Sequence, residues 1–135
     1  MPLEIACRQQ EGIKILTLKG RLVLGEEDLL LRKEIDEAAC RKTCLVLDIS
    51  AVTTIDSTGL GTLVYADQVL KKAGGGLRLA NLIPEHINLL VLAKMETIFE
   101  VFDCAQDAMN SFFPGRSVHP LDLMELIRTM PKTKL

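Results

Sequence analysis

The chain has 135 residues, a formal net charge of −2, and only five aromatic residues, four Phe and one Tyr. That length suits one domain of about 100–150 residues, with a core of Leu, Ile, Val and Ala that needs no metal or disulfide staple. The small negative charge speaks against nucleic-acid binding, and no apolar run approaches the ~18 residues of a membrane span.

Leu3 to Arg8 and Ile13 to Lys19 read as two strands of an antiparallel hairpin, with the break at Gln9 to Gly12. The second strand alternates Ile13, Ile15, Thr17 and Lys19 with Lys14, Leu16 and Leu18, so one face is apolar and the other mixed. Gly20-Arg21-Leu22-Val23 leads into a helix over about 26–41, whose inner face is Leu31, Ile35, Ala38 and Ala39. Glu26, Glu27 and Asp28 crowd its first turn, where negative charge suits the helix dipole.

Thr43 to Ile49 is a nearly continuous apolar run, as expected of a central strand. A short polar loop follows, then a helix over about 58–73 with an inner stripe of Leu63, Ala66, Leu70 and Ala73. Gly74-Gly75-Gly76 supplies its positive-φ cap. Leu77 to Ala80 is a short strand, Pro84 opens a helix over about 84–93, and Ile98 to Phe102 is the last strand. Asp103 is a candidate cap for a closing helix over about 104–113. The order β-β-α-β-α-β-α-β-α predicts an α/β domain, residues 1–113, with a mixed, mostly parallel sheet and about four helices.

Pro114-Gly115 separates this unit from an extension, residues 114–135, with a local charge of +2. Within it Leu123, Leu126, Ile127 and Met130 have helical spacing. Such a stripe should cover its own domain or a second copy, which leaves a homodimer open.

Cys7, Cys40, Cys44 and Cys104 form no Cys-x-x-Cys pair, and neither histidine has ligand spacing to a cysteine. Neither a metal site nor a cofactor is expected, and reduced thiols suit a cytoplasmic protein. Glu4 and Arg8 interrupt the opening turns, against a signal peptide. His86 reads as a solvated side chain on a surface helix, and His119 has no companion in the tail.

The chemistry concentrates at Ile55-Asp56-Ser57-Thr58-Gly59-Leu60-Gly61, where a helix follows the central strand. Asp56, Ser57 and Thr58 all suit an N-cap. An exposed hydroxyl there also suits phosphorylation, with Gly59 leaving the backbone open to a partner and free amides near a phosphate on Ser57. Hydrolytic readings fit poorly. Asp56 occupies the residue before Ser57 where a nucleophile elbow needs Gly-x-Ser-x-Gly, and Gly74-Gly75-Gly76 follows a helix where a phosphate cradle precedes one.

At these residues the chain resembles a known family. Gly20-Arg21-Leu22 after a hairpin, Leu45-Val46-Leu47-Asp48 in a strand, Ile55 to Gly61, and Gly75-Gly76-Leu77-Arg78-Leu79 occur in the order seen in STAS domains. Bacterial anti-sigma factor antagonists are the nearest type, and the resemblance covers about residues 3–113. It implies a regulatory protein rather than an enzyme. The dephosphorylated form binds an anti-sigma factor that is also a serine kinase, and the sigma factor is released. Phosphorylation switches binding off, and a PP2C-type phosphatase reverses it. By position Ser57 matches the acceptor and Thr58 is the second candidate. Asp56, Ser57, Thr58, Gly59, Leu60 and Thr62 are the implied partner-binding residues. STAS domains also serve as scaffolds in stress signalling or as subunits of lipid-transport ATPase complexes, where Ser57 need only cap a helix.

Overall fold

The computed structural model describes residues 3–118 and 120–129, apart from the side chains of Glu27, Met124, Ile127 and Thr129. Its elements are β1 (Glu4–Gln10), β2 (Ile13–Leu22), α1 (Glu26–Cys40), β3 (Leu45–Ile55), α2 (Ser57–Lys72), β4 (Leu77–Ala80), α3 (Pro84–Leu92), β5 (Val101–Phe102), α4 (Ala105–Asn110) and α5 (Leu123–Thr129). The strands lie in the order β1-β2-β3-β4-β5. β1 runs antiparallel to β2, from Glu4 opposite Lys19 to Gln10 opposite Ile13. The other neighbours are parallel. The mixed, mostly parallel sheet opened by a hairpin is therefore present.

This strand order explains the layers. Each parallel strand is added on the same side of the last, so crossovers of one hand stack their helices on one face. The larger core lies there. Leu16 and Leu18 of β2, Leu45, Leu47 and Ile49 of β3, and Leu77 and Leu79 of β4 meet Leu31 and Ile35 of α1 and Leu63, Ala66 and Leu70 of α2. On the other face a smaller cluster joins Ile13, Ile15, Val46, Ala80 and Phe102 to Ala105, Ala108 and Met109. Lys14 is buried on the α1 side because Glu34 meets its Nζ at 2.7 Å.

Four local expectations are corrected. β3 does not stop at Ile49 but continues to Ile55, because β2 also extends to Leu22 and supplies a partner through two register shifts. Ser50, Thr53 and Thr54 are polar because they are exposed on this overhang, not because the strand has ended. The last strand shrinks to Val101–Phe102, with Ile98 in a turn closed by its N–H to Met95 O at 3.0 Å. The cap of α4 is Cys104, whose Sγ accepts from Asp107 N–H at 3.5 Å, rather than Asp103.

His86 is the fourth. It is buried, not solvated. Its Nδ1 accepts from Ile83 N–H at 3.3 Å and its Nε2 donates to Val52 O at 2.8 Å, so the ring fastens α3 to the end of β3.

The C-terminal segment packs on its own domain. Leu121 N–H donates to Val101 O at 2.7 Å, beside the short edge strand β5. Leu123 is buried in the larger core, and Leu121 and Leu126 pack against it. Met130 and the Ile127 side chain, the rest of the predicted stripe, lie outside the described residues.

Burial holds the His86 imidazole below its ordinary value, against the Val52 carbonyl and the Glu85 charge, which favour the cation. Protonation would also set an Nδ1 donor against the Ile83 N–H. The unfolded chain takes up this proton at about pH 6.5. The folded chain resists until lower pH, so the stabilisation is complete above about 6.5 and is lost as pH falls from there through the lower folded value. An NMR titration of the imidazole should give a midpoint below about 6.5. A midpoint at or above that value contradicts the assignment.

Candidate functional site

The site forms where β3 hands over to α2. Asp56 is extended, with φ −96° and ψ −176°, and is the N-cap. One carboxylate oxygen accepts from Gly59 N–H at 2.9 Å, satisfying an amide that the first helical turn cannot. The other accepts from Leu24 N–H at 3.0 Å. Asp56 N–H donates to Leu22 O at 3.3 Å. Hydrogen bonds from the Leu24 and Gly59 amides, in that order, hold the carboxyl below the usual carboxylate range. Asp56 therefore ties the loop between β2 and α1 to the start of α2.

Capping is thus done by Asp56, and Ser57 is released from it. Ser57 is the first residue of α2 and is exposed. Among the described residues none bonds its hydroxyl. Thr58 is half-buried. Of the amides at this helix start, that of Gly59 is already taken by Asp56 and is not free for a phosphate.

The other three implied contact residues point inward. Gly59 is buried, and a Cβ there would collide with the Leu22 carbonyl oxygen and meet Ile55 Cγ2 and Leu22 Cγ at 3.0 Å. Its lack of a side chain brings α2 onto the end of β2 rather than opening the backbone to a partner. Gly61 is the open glycine, with nothing within 4 Å of an added Cβ. Leu60 is in the core.

Thr62 is fully buried. Its hydroxyl donates to the Asp28 carboxylate of α1 and lies 3.1 Å from Thr58 O. Asp28 also accepts from Arg32 Nε at 3.2 Å. The Arg32 guanidinium lies 4.7 Å from the centre of the Tyr65 ring, and the Tyr65 hydroxyl bonds Asp36. These side chains form a polar seam between α1 and α2, one turn below Ser57.

Leu24, which sequence reasoning passed over, is 74% exposed while its amide is held by Asp56. Its only signal in the sequence is the apolar pair Val23-Leu24 just before Gly25, which takes φ 137° in the structure. Leu29 on α1 is also exposed. The surface around Ser57 thus combines a free hydroxyl with an apolar residue fixed at its backbone. Both Asp56 oxygens and both His86 nitrogens are occupied by backbone groups, so neither is poised as a base for Ser57.

The sequence pattern of the STAS domain matches residues 4–108, and the chain belongs to this family. It is 27% identical over 112 residues to an anti-sigma F factor antagonist of Paenibacillus polymyxa, covering 82% of this chain and 95% of that protein. It is 31% identical over 104 residues to an anti-sigma-B factor antagonist of Bacillus subtilis, covering 75% and 92%. The fold matches the anti-sigma factor antagonist SpoIIAA in its unphosphorylated form, with TM-score 0.64 and 16% identity over 84% of this chain and 100% of that one. It also matches Bacillus SpoIIAA in its phosphorylated form, with TM-score 0.64 and 14% identity over 82% and 100%. Among the described residues no helix is long and apolar enough to cross a membrane.

Packing of Gly59 against β2 gives a contrast testable by thermal or denaturant unfolding. Gly59→Ala should destabilise the protein by about 1–3 kcal/mol or more, because the added methyl meets backbone. Gly61→Ala should be neutral or slightly stabilising, since glycine costs about 0.5–1 kcal/mol relative to Ala within a helix. Equal effects at the two positions would mean that α2 does not sit on Leu22 as described.

Proposed function

We propose that this STAS domain is an anti-sigma factor antagonist switched by phosphorylation at Ser57. In the dephosphorylated state the surface around Ser57, Thr58 and Asp56 binds an anti-sigma factor with serine kinase activity, and the sigma factor is freed. The kinase moves the γ-phosphoryl group of ATP onto Ser57 Oγ, releasing ADP and the hydroxyl proton. The complex then dissociates, and a PP2C-type phosphatase restores the hydroxyl.

The observation that carries this reading is the division of labour between neighbours. Asp56 alone caps α2, so the exposed Ser57 hydroxyl has no structural duty. The names of the two relatives support the antagonist reading, and the two forms of SpoIIAA show that a protein of this fold takes up phosphate. The electrostatics are consistent. A phosphate adds roughly −1.5 to −2 charges beside the Asp56 carboxylate. A partner that covers Leu24 and Ser57 together must strip water from that dianion, a large cost without matched cations.

Incubation with ATP and a cognate anti-sigma factor kinase should add the mass of one phosphate to the intact chain. Ser57→Ala should abolish that increase, while Thr58→Ala should keep it. Labelling lost only in the Thr58 variant moves the acceptor by one residue. Labelling untouched by either variant defeats the switch and favours a constitutive STAS scaffold or transport-ATPase subunit.

Binding should divide along the same lines. Ser57→Asp should keep its melting temperature yet lose affinity for the kinase in calorimetric titration. Leu24→Ala should weaken binding about tenfold or more, since a buried leucine side chain contributes about 1.5–3 kcal/mol. Unchanged affinity in both variants places the interface elsewhere.

A further inference from the structure

We infer that β1 is a homodimer edge, on which two copies of the chain pair their first strands antiparallel about a two-fold axis at Ala6. The sheet ends at β1 and β5. β5 is two residues long and is flanked by the C-terminal segment through the Leu121–Val101 hydrogen bond. β1 is seven residues long, contains neither Pro nor Gly, and pairs with β2 without a bulge. Glu4, Ala6, Cys7, Arg8 and Gln9 are exposed along it. The backbone groups of an edge strand that point away from its neighbour are a template for another strand.

The side chains make that template self-complementary. Pairing about Ala6 sets Glu4 opposite Arg8 of the partner subunit, and the reverse, so two opposite-charge pairs flank two small alanines. Opposite charges directly across an antiparallel pair are favourable, and like charges are not. A one-residue shift of register is barred, because it would face outward-pointing backbone groups with inward-pointing ones. The next permitted registers lose both charge pairs, setting Arg8 against Ala6 or Glu4 against Ala6. The register at Ala6 alone brings Glu4 to Arg8.

The two faces of the strand also fit. Glu4 and Arg8 share the face of Gln10, whose side chain meets Gln106 of α4 at 3.2 Å, and both are exposed there. On the opposite face Leu3, Ile5 and Leu30 line a groove rimmed by Lys33, Glu34 and Glu37. Leu30 is 52% exposed at that groove. Pairing lays Ile5 against Cys7 of the partner subunit across it. One strand per subunit is a small interface, below ~1,200 Å² in total, so the dimer is reversible and concentration-dependent. β1 lies two strands from β3, and Ser57 opens α2 just beyond the end of β3, so each dimer presents two acceptor surfaces.

Sedimentation equilibrium of the full chain over rising concentration tests this. A monomer–dimer equilibrium is expected, weakened by added salt. Glu4→Arg and Arg8→Glu, both at exposed positions, should each weaken self-association severalfold without changing the melting temperature. An equimolar mixture of these two variants should recover association as a heterodimer, because one then carries two cations and the other two carboxylates. The double variant, which restores the pattern in reverse, should dimerise as the original chain does. A chain that stays monomeric up to its solubility limit overturns the proposal, as does a dimer that the single variants leave unchanged.

Discussion

Everything at the candidate site depends on the Asp56 carboxylate gripping two backbone amides at once, Gly59 at 2.9 Å and Leu24 at 3.0 Å. A carboxylate suits this because both its oxygens accept. An amide side chain offers one acceptor, and a hydroxyl is shorter and cannot span two segments. The grip has three consequences. It satisfies an orphan N–H of α2. It fixes the backbone of a loop that would otherwise be free to drift. It also removes the need for a capping hydroxyl, so that the next residue can be used for something other than structure.

The rest of the fold makes that grip rigid. Strand order places α1 and α2 side by side on one face, packed against the sheet and against each other. Gly59 lets α2 descend until its first turn touches the carbonyl of Leu22, the last residue of β2. One turn on, buried Thr62 bonds buried Asp28, fixing the same end of α2 to α1. The apolar contacts bring the helices together without choosing a register along their axes. The directional hydrogen bonds choose it. An exposed hydroxyl on a base held from three sides is presented the same way to every partner, which lowers the ordering cost of binding.

Most of this architecture is legible in the sequence because periodicity reports burial. The inner faces of α1 and α2, the hairpin and the alternation of strands with helices all follow from apolar spacing. The failures share a cause. The overhang of β3 is polar because one half of that strand is exposed, and local composition cannot distinguish an exposed strand from a loop. His86 and Thr62 are polar residues buried by partners 34 residues distant in sequence, Val52 and Asp28, and no local pattern reports such a pairing. Gly59 is legible as a special position, but its direction is not, since only the packed structure says whether the missing Cβ faces a partner or Leu22. The choice among Asp56, Ser57 and Thr58 as the cap turned on the long-range Leu24 amide.

Under the proposed switch, this arrangement also bears on how a charge added at Ser57 would act as a signal and not as a structural change. The positive end of the α2 dipole already has a carboxylate seated on it, so a second anion gains less there than the usual helix-terminal stabilisation of about 0.3–1 kcal/mol. It also meets repulsion from that carboxylate, and the exposure of Ser57 lets water and salt screen both effects. The two influences oppose each other and both are small, so the fold has little stake in the state of the hydroxyl. A partner that buries the same atoms has a large one, because the screening water is then removed. The free-energy difference between the two states would therefore fall almost wholly on the complex, as the proposed on–off switch of binding requires.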